Sequence, residues 1–171
     1  MDERHRALTP AIAAAYREAA EVCLSRHHVS PAEVTLSDNG NETLGRLEWS
    51  LPGNRTLSAW ANDIETTEAG AYGCVIAGLE ELRELFAVRR AETGTGADYY
   101  VGPLGAGEDD IEDCIRLEVS GINAGERREL VRRLLQKTQQ AREGRSSLPA
   151  IAGVFGFLAK TLMIQDVPQS S

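Results

Sequence analysis

The sequence has few of the residues that build disulfide frameworks, zinc sites and membrane segments. Its 171 residues include three cysteines and three histidines. The cysteines are far apart and odd in number, so they predict reduced thiols in a cytoplasmic protein, without disulfides or a zinc site. No apolar run reaches the length that spans a bilayer, and the polar N-terminus does not resemble a secretory signal. Membrane-embedded and secreted proteins are therefore not expected.

Aromatic residues and lysines are also scarce. Aromatic side chains make up 5% of the chain, which does not suggest single-strand nucleic-acid binding through stacked bases. Only two lysines occur, Lys137 and Lys160. The content of 42% hydrophobic and 26% charged residues is ordinary for a globular chain, and the length predicts a single domain over residues 1–171.

Negative charge dominates the chain but is unevenly distributed. The net charge of −8 argues against indiscriminate nucleic-acid binding. Residues 1–122 hold 10 Lys/Arg and 22 Asp/Glu, whereas residues 123–171 hold 8 and 4. Most of this positive charge lies in ERRELVRRLLQKTQQAREGR. The segment is either a solvated helix face or a basic surface for nucleic-acid phosphates, formed by Arg127, Arg128, Arg132 and Arg133.

Apolar spacing predicts two helices in the first half of the chain. One covers residues 9–27, and a longer one covers residues 63–92, where apolar residues as far as Phe86 recur at three- and four-residue spacing. Extended backward, this apolar stripe passes through Glu68. That carboxylate is expected on the inward face, where it either favours the helix dipole or points at a site. The glycines and alanines beside it suggest that another backbone packs very close.

Strand-like segments lie on both sides of the long helix. Residues 33–36 (EVTL) and 43–51 (TLGRLEWSL) predict a hairpin, so that residues 1–62 form a helix and hairpin extension. After the helix, ADYYVG and CIRLEVSG are predicted strands, and the acidic loop GAGEDDIED between them is predicted to be solvated surface.

A second long helix follows these strands. It begins near Asn123, which with Glu126 forms a predicted capping box. Its predicted apolar stripe is Leu130, Val131, Leu134 and Leu135. LPAIAGVFGF and KTLMIQDV then complete the sheet. This order predicts an α/β core over residues 63–167, a central mixed sheet flanked by two long helices, with residues 168–171 as a frayed tail.

The strand CIRLEVSG carries an alternating pattern that brings a carboxylate to one face. Its odd-numbered residues are apolar and its even-numbered residues, including Glu118 and Ser120, are mostly polar. We expect Leu117 and Val119 to be buried, while Glu118 and Ser120 line a cleft. Asp98 lies on the preceding strand. Two carboxylates that face one way on neighbouring strands can hold a hard cation.

These elements together resemble the PD-(D/E)xK, or restriction-endonuclease-like, nuclease superfamily over residues 63–167. In that superfamily an Asp on one strand and a Glu on the next bind Mg²⁺, and a Lys two residues after the Glu helps to activate water. By position, Asp98 and Glu118 match the two metal ligands, and Glu68 matches an additional Glu on the preceding helix. The resemblance implies a restriction-endonuclease-like fold, Mg²⁺ or Mn²⁺ as cofactor, and cleavage of phosphodiester bonds in nucleic acid.

The chain departs from this pattern at Ser120, which stands where Lys is expected. Ser carries no positive charge and does not replace Lys. Two substitutes are available on the following helix: Lys137 could reach toward the sheet, or Gln136 and Gln140, spaced i and i+4, could orient water or phosphate. The alternative is that catalysis is lost.

Three interpretations therefore stay open. The first is a metal-dependent nuclease or nuclease subunit. The second is an inactive relative that serves as an interaction or regulatory module, with a protein partner or as a homo-oligomer. The third is an unrelated α/β domain whose carboxylates are structural. The first predicts that Asp98, Glu118 and Glu68 converge at the sheet.

Overall fold

The computed structural model of the chain describes residues 3–106, 111–144 and 146–168. Residues 107–110 of the predicted acidic loop and residues 169–171 of the predicted tail lie outside this part. Within it, no helix has the length and apolar character needed to cross a membrane. The elements are α1 (Pro10–Ser25), β1 (Ala32–Asp38), β2 (Asn41–Leu47), α2 (Asn54–Ala59), α3 (Asp63–Arg83), β3 (Phe86–Arg90), β4 (Tyr99–Gly102), β5 (Ile115–Ile122), α4 (Arg127–Arg142), β6 (Ala150–Gly156) and β7 (Thr161–Val167).

One mixed sheet contains all seven of these strands, in the order β2-β1-β7-β6-β5-β4-β3. β5 runs parallel to β6 and β1 runs parallel to β7, whereas the other neighbours are antiparallel. The parallel pair β5–β6 is connected through α4, because parallel neighbours need a crossover. The prediction of an α/β chain with a central mixed sheet is confirmed.

The two faces of the sheet are covered by different helices. In the larger core, α1 and α3 pack on one face of the sheet. This face includes Leu117 and Val119 of β5 and buried residues of the neighbouring strands β4 and β6. Two smaller clusters hold α4 against β6 and β7 through Leu130 and Ala141. Each face of β5 therefore contacts a helix.

The predicted hairpin is present, but it belongs to the main sheet. β1 and β2 are joined through Asn39 and Gly40, which both have positive φ, and β1 pairs in parallel with β7. Arg83 at the end of α3 donates to Asp38 of the hairpin and, at 2.6 Å, to Asp166 of β7. The hairpin is thus tied to the core by backbone pairing and by one shared guanidinium.

The long helix predicted over residues 63–92 is wrong at its C-terminal end. α3 stops at Arg83, Glu84 takes a left-handed conformation with φ 53°, and β3 begins at Phe86. Leu82 and Phe86 are four residues apart, which is helical spacing, so the apolar pattern continues past the end of the helix and does not reveal it. Phe86 and Ala87 are buried as strand residues.

α4 also differs from its prediction at its start and in its buried stripe. The N-cap is Glu126, which exchanges capping hydrogen bonds with Glu129, and the helix does not begin at Asn123. Val131 and Leu135 are exposed, by 43% and 65%. The side that faces the sheet is defined by spacing of four, three and four residues, typical of one helix face: Leu130, Leu134, Lys137 and Ala141.

Close backbone approach accounts for Gly70 and Gly73 of α3, as predicted, because both face the backbone of α1. A Cβ at Gly70 would lie 3.0 Å from the Ala20 backbone, so α1 packs directly on α3. The approach of α3 to β5 is closer still. A Cβ at Gly121 would lie 2.6 Å from the carbonyl oxygen of Thr67.

We expect Gly121→Ser to destabilise the fold by about 1–3 kcal/mol, because the added Cβ meets helix backbone that is held by the core. The matched control is Gly53→Ser, where a Cβ meets no atom within 4 Å and the residue is the N-cap of α2, a position that Ser suits. The control should change stability by less than about 0.5 kcal/mol. Urea unfolding measures both. Equal midpoints for Gly121→Ser and the parent would contradict the close approach.

Candidate functional site

Arg116, Glu118 and Ser120 of β5 are buried beneath α4. Leu117 and Val119 are buried as predicted, but Glu118 and Ser120 are only 6% and 9% exposed. The expectation that Glu118 lines an open cleft is therefore wrong, whereas Ser120 does line one. The cause is the crossover of α4, which covers this face of the strand.

Three polar residues of β5 contact three positions of α4 in register. Arg116 donates to the carbonyl of Ala141 at 3.0 Å, Lys137 donates to Glu118 Oε1 at 2.7 Å, and Arg133 donates to Ser120 Oγ at 3.3 Å. Two strand residues rise about 6.6–6.8 Å, and four helix residues rise about 6.0 Å, so successive strand positions meet successive helix turns. The match places a basic residue of α4 over Glu118 and another over Ser120.

Lys137 points inward and pairs with Glu118. The side chains of Lys137 and Glu118 are 18% and 8% exposed. Lys137 lies on the sheet-facing stripe of α4, which explains why its ammonium reaches the sheet. The structure thus brings one of the two predicted substitutes for the missing lysine to the predicted glutamate. Gln136 and Gln140, the other predicted substitute, are exposed and line a different, shallow surface with Arg132.

Asp98 lies beside this set of contacts, just before β4 begins. β4 begins at Tyr99, opposite Leu117, so the next residues of β5 have no strand on that side. Asp98 Oδ2 accepts a hydrogen bond of 2.8 Å from the N–H of Val119, a backbone donor without a strand partner because β4 begins only at Tyr99. This contact fixes the Asp98 carboxylate beside Glu118.

Tyr72 links Asp98 to Glu68. Its hydroxyl lies 2.8 Å from Asp98 Oδ1 and 3.3 Å from Glu68 Oε1. Burial, followed by the charge of Asp98 and the hydrogen bond to it, raises the pKa of Tyr72 above its ordinary value, so the phenol is a donor at neutral pH. Glu68 was predicted on the inward face of the helix. This prediction is wrong, since Glu68 is exposed and lines the mouth of the cleft.

Arg90 supports this group from β3. Its guanidinium lies over the rings of Tyr72 and Tyr99, at 4.5 and 4.6 Å from their centroids, and its Nη2 is 4.0 Å from Asp98 Oδ1. It also donates to the Tyr72 hydroxyl at 3.1 Å. The arginine is 49% exposed, so it retains a face toward solvent. Sequence reasoning missed Arg90, because it was assigned to the long helix, and missed Tyr72, because it was counted only as apolar.

Burial raises the pKa of Glu118 above its ordinary value, and the nearby charge of Asp98 adds to this. The hydrogen bond and charge of Lys137, together with the charge of Arg116, oppose the rise. Glu118 and Asp98 are therefore close enough to repel each other, and Lys137 is the chief compensation on this side of the sheet.

A cleft of about 460 Å³ opens beside these residues, where the start of α3 and the end of β5 meet the middle of α4. Of the predicted site residues it brings together Glu68, Asp98, Ser120, Arg133 and Lys137. The other predicted basic residues are outside it. Arg127 pairs with Glu42 of the hairpin, and Arg128 and Arg132 are exposed on α4.

The carboxylates do not form a ready cage for a metal ion. Among residues 3–106, 111–144 and 146–168, no group of three or more His, Cys, Asp or Glu side chains is arranged to hold one. Mg²⁺, however, is commonly held by one or two carboxylates, with water and substrate phosphate as its other ligands. Asp98 and Glu118 would be the two carboxylates of such a set, but Glu118 does not line the cleft with Asp98 and Glu68. The Tyr72 hydroxyl lies between the carboxylates of Asp98 and Glu68.

Comparison of the chain with models of protein families, with curated proteins and with solved structures finds no match.

We expect Lys137→Met to destabilise the fold by about 3–5 kcal/mol at neutral pH, because it leaves the Glu118 carboxylate buried without its partner. The loss of Lys137 also raises the pKa of Glu118 further. A carboxyl whose pKa is raised by folding favours the folded state below the ordinary Glu value, and this gain is lost as pH rises through the raised pKa. The deficit of Lys137→Met relative to the parent should thus shrink toward about pH 4.

The double variant Glu118→Gln/Lys137→Met is the control for this pair. It removes both charges, so it should be more stable at neutral pH than Lys137→Met alone. Urea unfolding at several pH values measures all three proteins. A deficit of Lys137→Met that is independent of pH, or that the double variant does not reduce, would contradict a buried ion pair.

Proposed function

We propose that the chain is a metal-dependent nuclease with a restriction-endonuclease-like core, in which Lys137 of α4 takes the place of the lysine that Ser120 replaces. The observation that carries the proposal is the 2.7 Å contact between Lys137 Nζ and Glu118 Oε1. It puts a positive charge beside the glutamate that the resemblance assigns to the metal. An ammonium that pointed to solvent would have favoured the interpretation without catalysis.

The order of elements supports the same proposal. After α3, which carries Glu68, the chain passes through Asp98 into β4 and then into β5, which carries Glu118. The basic crossover helix α4 and the strands β6 and β7 follow. β4 and β5 are antiparallel neighbours, and Tyr99 stands opposite Leu117, so Asp98 and Glu118 lie side by side. β3 is an additional strand that the sequence pattern did not predict.

In this proposal, residues in and beside the cleft would each have a role in phosphodiester cleavage. The reaction needs an activated water and neutralisation of the phosphoryl oxygens, which a divalent cation held by Asp98 and Glu118 would supply. Lys137 adds a fixed positive charge where negative charge develops. Tyr72 and the amide of Val119 hold Asp98 in one orientation, and Arg90 holds Tyr72.

Substrate binding would rely on phosphate contacts along α4. Arg133 reaches Ser120 at the wall of the cleft, and Arg128 and Arg132 are exposed on the same helix. Such contacts position a nucleic-acid backbone without reading its bases. The local excess of positive charge in residues 123–171 fits this use, in a chain whose remainder is acidic.

A catalytically degenerate interaction module is the second candidate function. Two observations favour it: Glu118 is only 6% exposed, and no three-ligand metal group occurs in the described residues. In this case the ion pair serves only to hold α4 on the sheet. The two functions differ in whether the cleft cleaves nucleic acid.

We expect the parent protein to cleave DNA or RNA in the presence of Mg²⁺ or Mn²⁺, and not with EDTA. Glu118→Gln and Asp98→Asn should each lower the rate by at least about 100-fold, because each removes a charged oxygen from the proposed cation site. Lys137→Met should lower it by roughly 10²–10⁴-fold, the range for loss of a positioned acid–base or electrostatic group.

The matched control is Arg142→Met, which removes an exposed positive charge from the last turn of the same helix. It should retain the parent rate. Activity that survives Glu118→Gln would rule out the proposed site. A parent that cleaves no DNA or RNA would leave the interaction module as the function of this fold.

A further inference from the structure

The outer edge of β2 is open to another strand. β2 is the last strand of the sheet, and no strand of the described residues pairs with its outer side. Five of its seven residues are exposed. An unpaired edge of this kind presents free N–H and C=O groups to any extended chain that meets it.

The backbone groups that face outward can be identified from the hairpin. β1 and β2 are joined by a two-residue turn, and Asp38 and Asn41 are its closing pair. In a hairpin with such a turn the closing pair is hydrogen-bonded, and hydrogen-bonded pairs then alternate along the strands. The odd-numbered residues of β2 therefore bond to β1, and Glu42, Leu44 and Arg46 direct their N–H and C=O groups outward.

The side chains of these three residues are complementary to a second copy of themselves. Glu42 and Arg46 are the charged residues of β2, and Leu44 lies midway between them with 72% exposure. When two copies of β2 pair antiparallel with Leu44 opposite Leu44, each Glu42 stands opposite an Arg46. A slip by two residues in either direction puts a charged residue opposite Leu44 and leaves charges without a partner.

We propose that β2 pairs antiparallel with β2 of a second copy of this chain, with Leu44 at the two-fold axis, to form a symmetric dimer with one continuous sheet. The pairing uses all three outward-facing residues of each copy, and it is isologous, since the same surface serves both subunits. It adds two Glu42–Arg46 pairs and one apolar contact. An arbitrary extended peptide would not supply these charges, whereas a second β2 places an Arg46 opposite each Glu42 on both sides of the two-fold axis.

Neighbouring groups are compatible with this pairing. Glu42 already contacts Arg127 of its own chain through Oε1, and its side chain is 43% exposed. Arg46 is 69% exposed and lies 3.7 Å from Glu48, an exposed carboxylate. The side chains of Glu42 and Arg46 are therefore both accessible, and each can form an ion pair with a second copy of the chain.

Sedimentation equilibrium on the full chain over the micromolar range tests the dimer. The parent should have twice the 18.6 kDa chain mass. Arg46→Glu alone sets Glu opposite Glu, and Glu42→Arg alone sets Arg opposite Arg, so each should be monomeric. An equimolar mixture restores opposite charges at both positions and should form a heterodimer. Leu44→Lys, which leaves the contact with Arg127 intact, should also be monomeric.

Leu51→Glu is the control, because Leu51 is 86% exposed outside β2 and its replacement should leave the dimer intact. Far-UV circular dichroism confirms that each variant is folded. A monomeric parent would overturn the proposal. So would a parent dimer that survives both Arg46→Glu and Leu44→Lys, because it would use another surface. These outcomes do not depend on nuclease activity.

Discussion

The matched spacing of β5 and α4 is the constraint on which the rest of the site depends. Alternate strand residues meet successive helix turns, so Arg116, Glu118 and Ser120 each contact one turn of the helix. A carboxylate buried in this way costs several kcal/mol unless it is paired, and Lys137 supplies the pair. Leu130 and Ala141 fix the helix on the sheet and so hold Lys137 in position.

The late start of β4, at Tyr99, provides the second half of the site. It leaves the N–H of Val119 without a strand partner and brings Asp98 into the gap as its acceptor. Tyr72 and Arg90 then hold Asp98 from the opposite helix and the edge strand. Asp98 and Glu118 are thereby held near each other, and each is compensated by its own partners, Lys137 for Glu118 and the Val119 amide, Tyr72 and Arg90 for Asp98.

The sequence predicts the buried face of a strand well where apolar and polar residues alternate, as in β5. It predicts the buried face of a helix poorly where a polar residue lies on that face, as in α4. The alternation of CIRLEVSG correctly predicted that Leu117 is buried and that Glu118 lies on the opposite face of the strand, with Arg116 and Ser120. The helix stripe was misplaced because Val131 and Leu135 are more apolar than Lys137, although Lys137 is the one that faces the sheet. No Gly or Pro marks the end of α3 at Glu84, so β3 and its Arg90 were assigned to the helix.

Paramagnetic broadening by Mn²⁺ tests most directly whether the two carboxylates form a cation site. In amide-resolved NMR spectra of the chain, substoichiometric Mn²⁺ should broaden the amide signals of Asp98, Glu118 and Val119 first, because the effect falls steeply with distance. Glu118→Gln should weaken that broadening at all three positions. Broadening that begins elsewhere on the acidic surface, or that is unchanged in Glu118→Gln, would contradict the account.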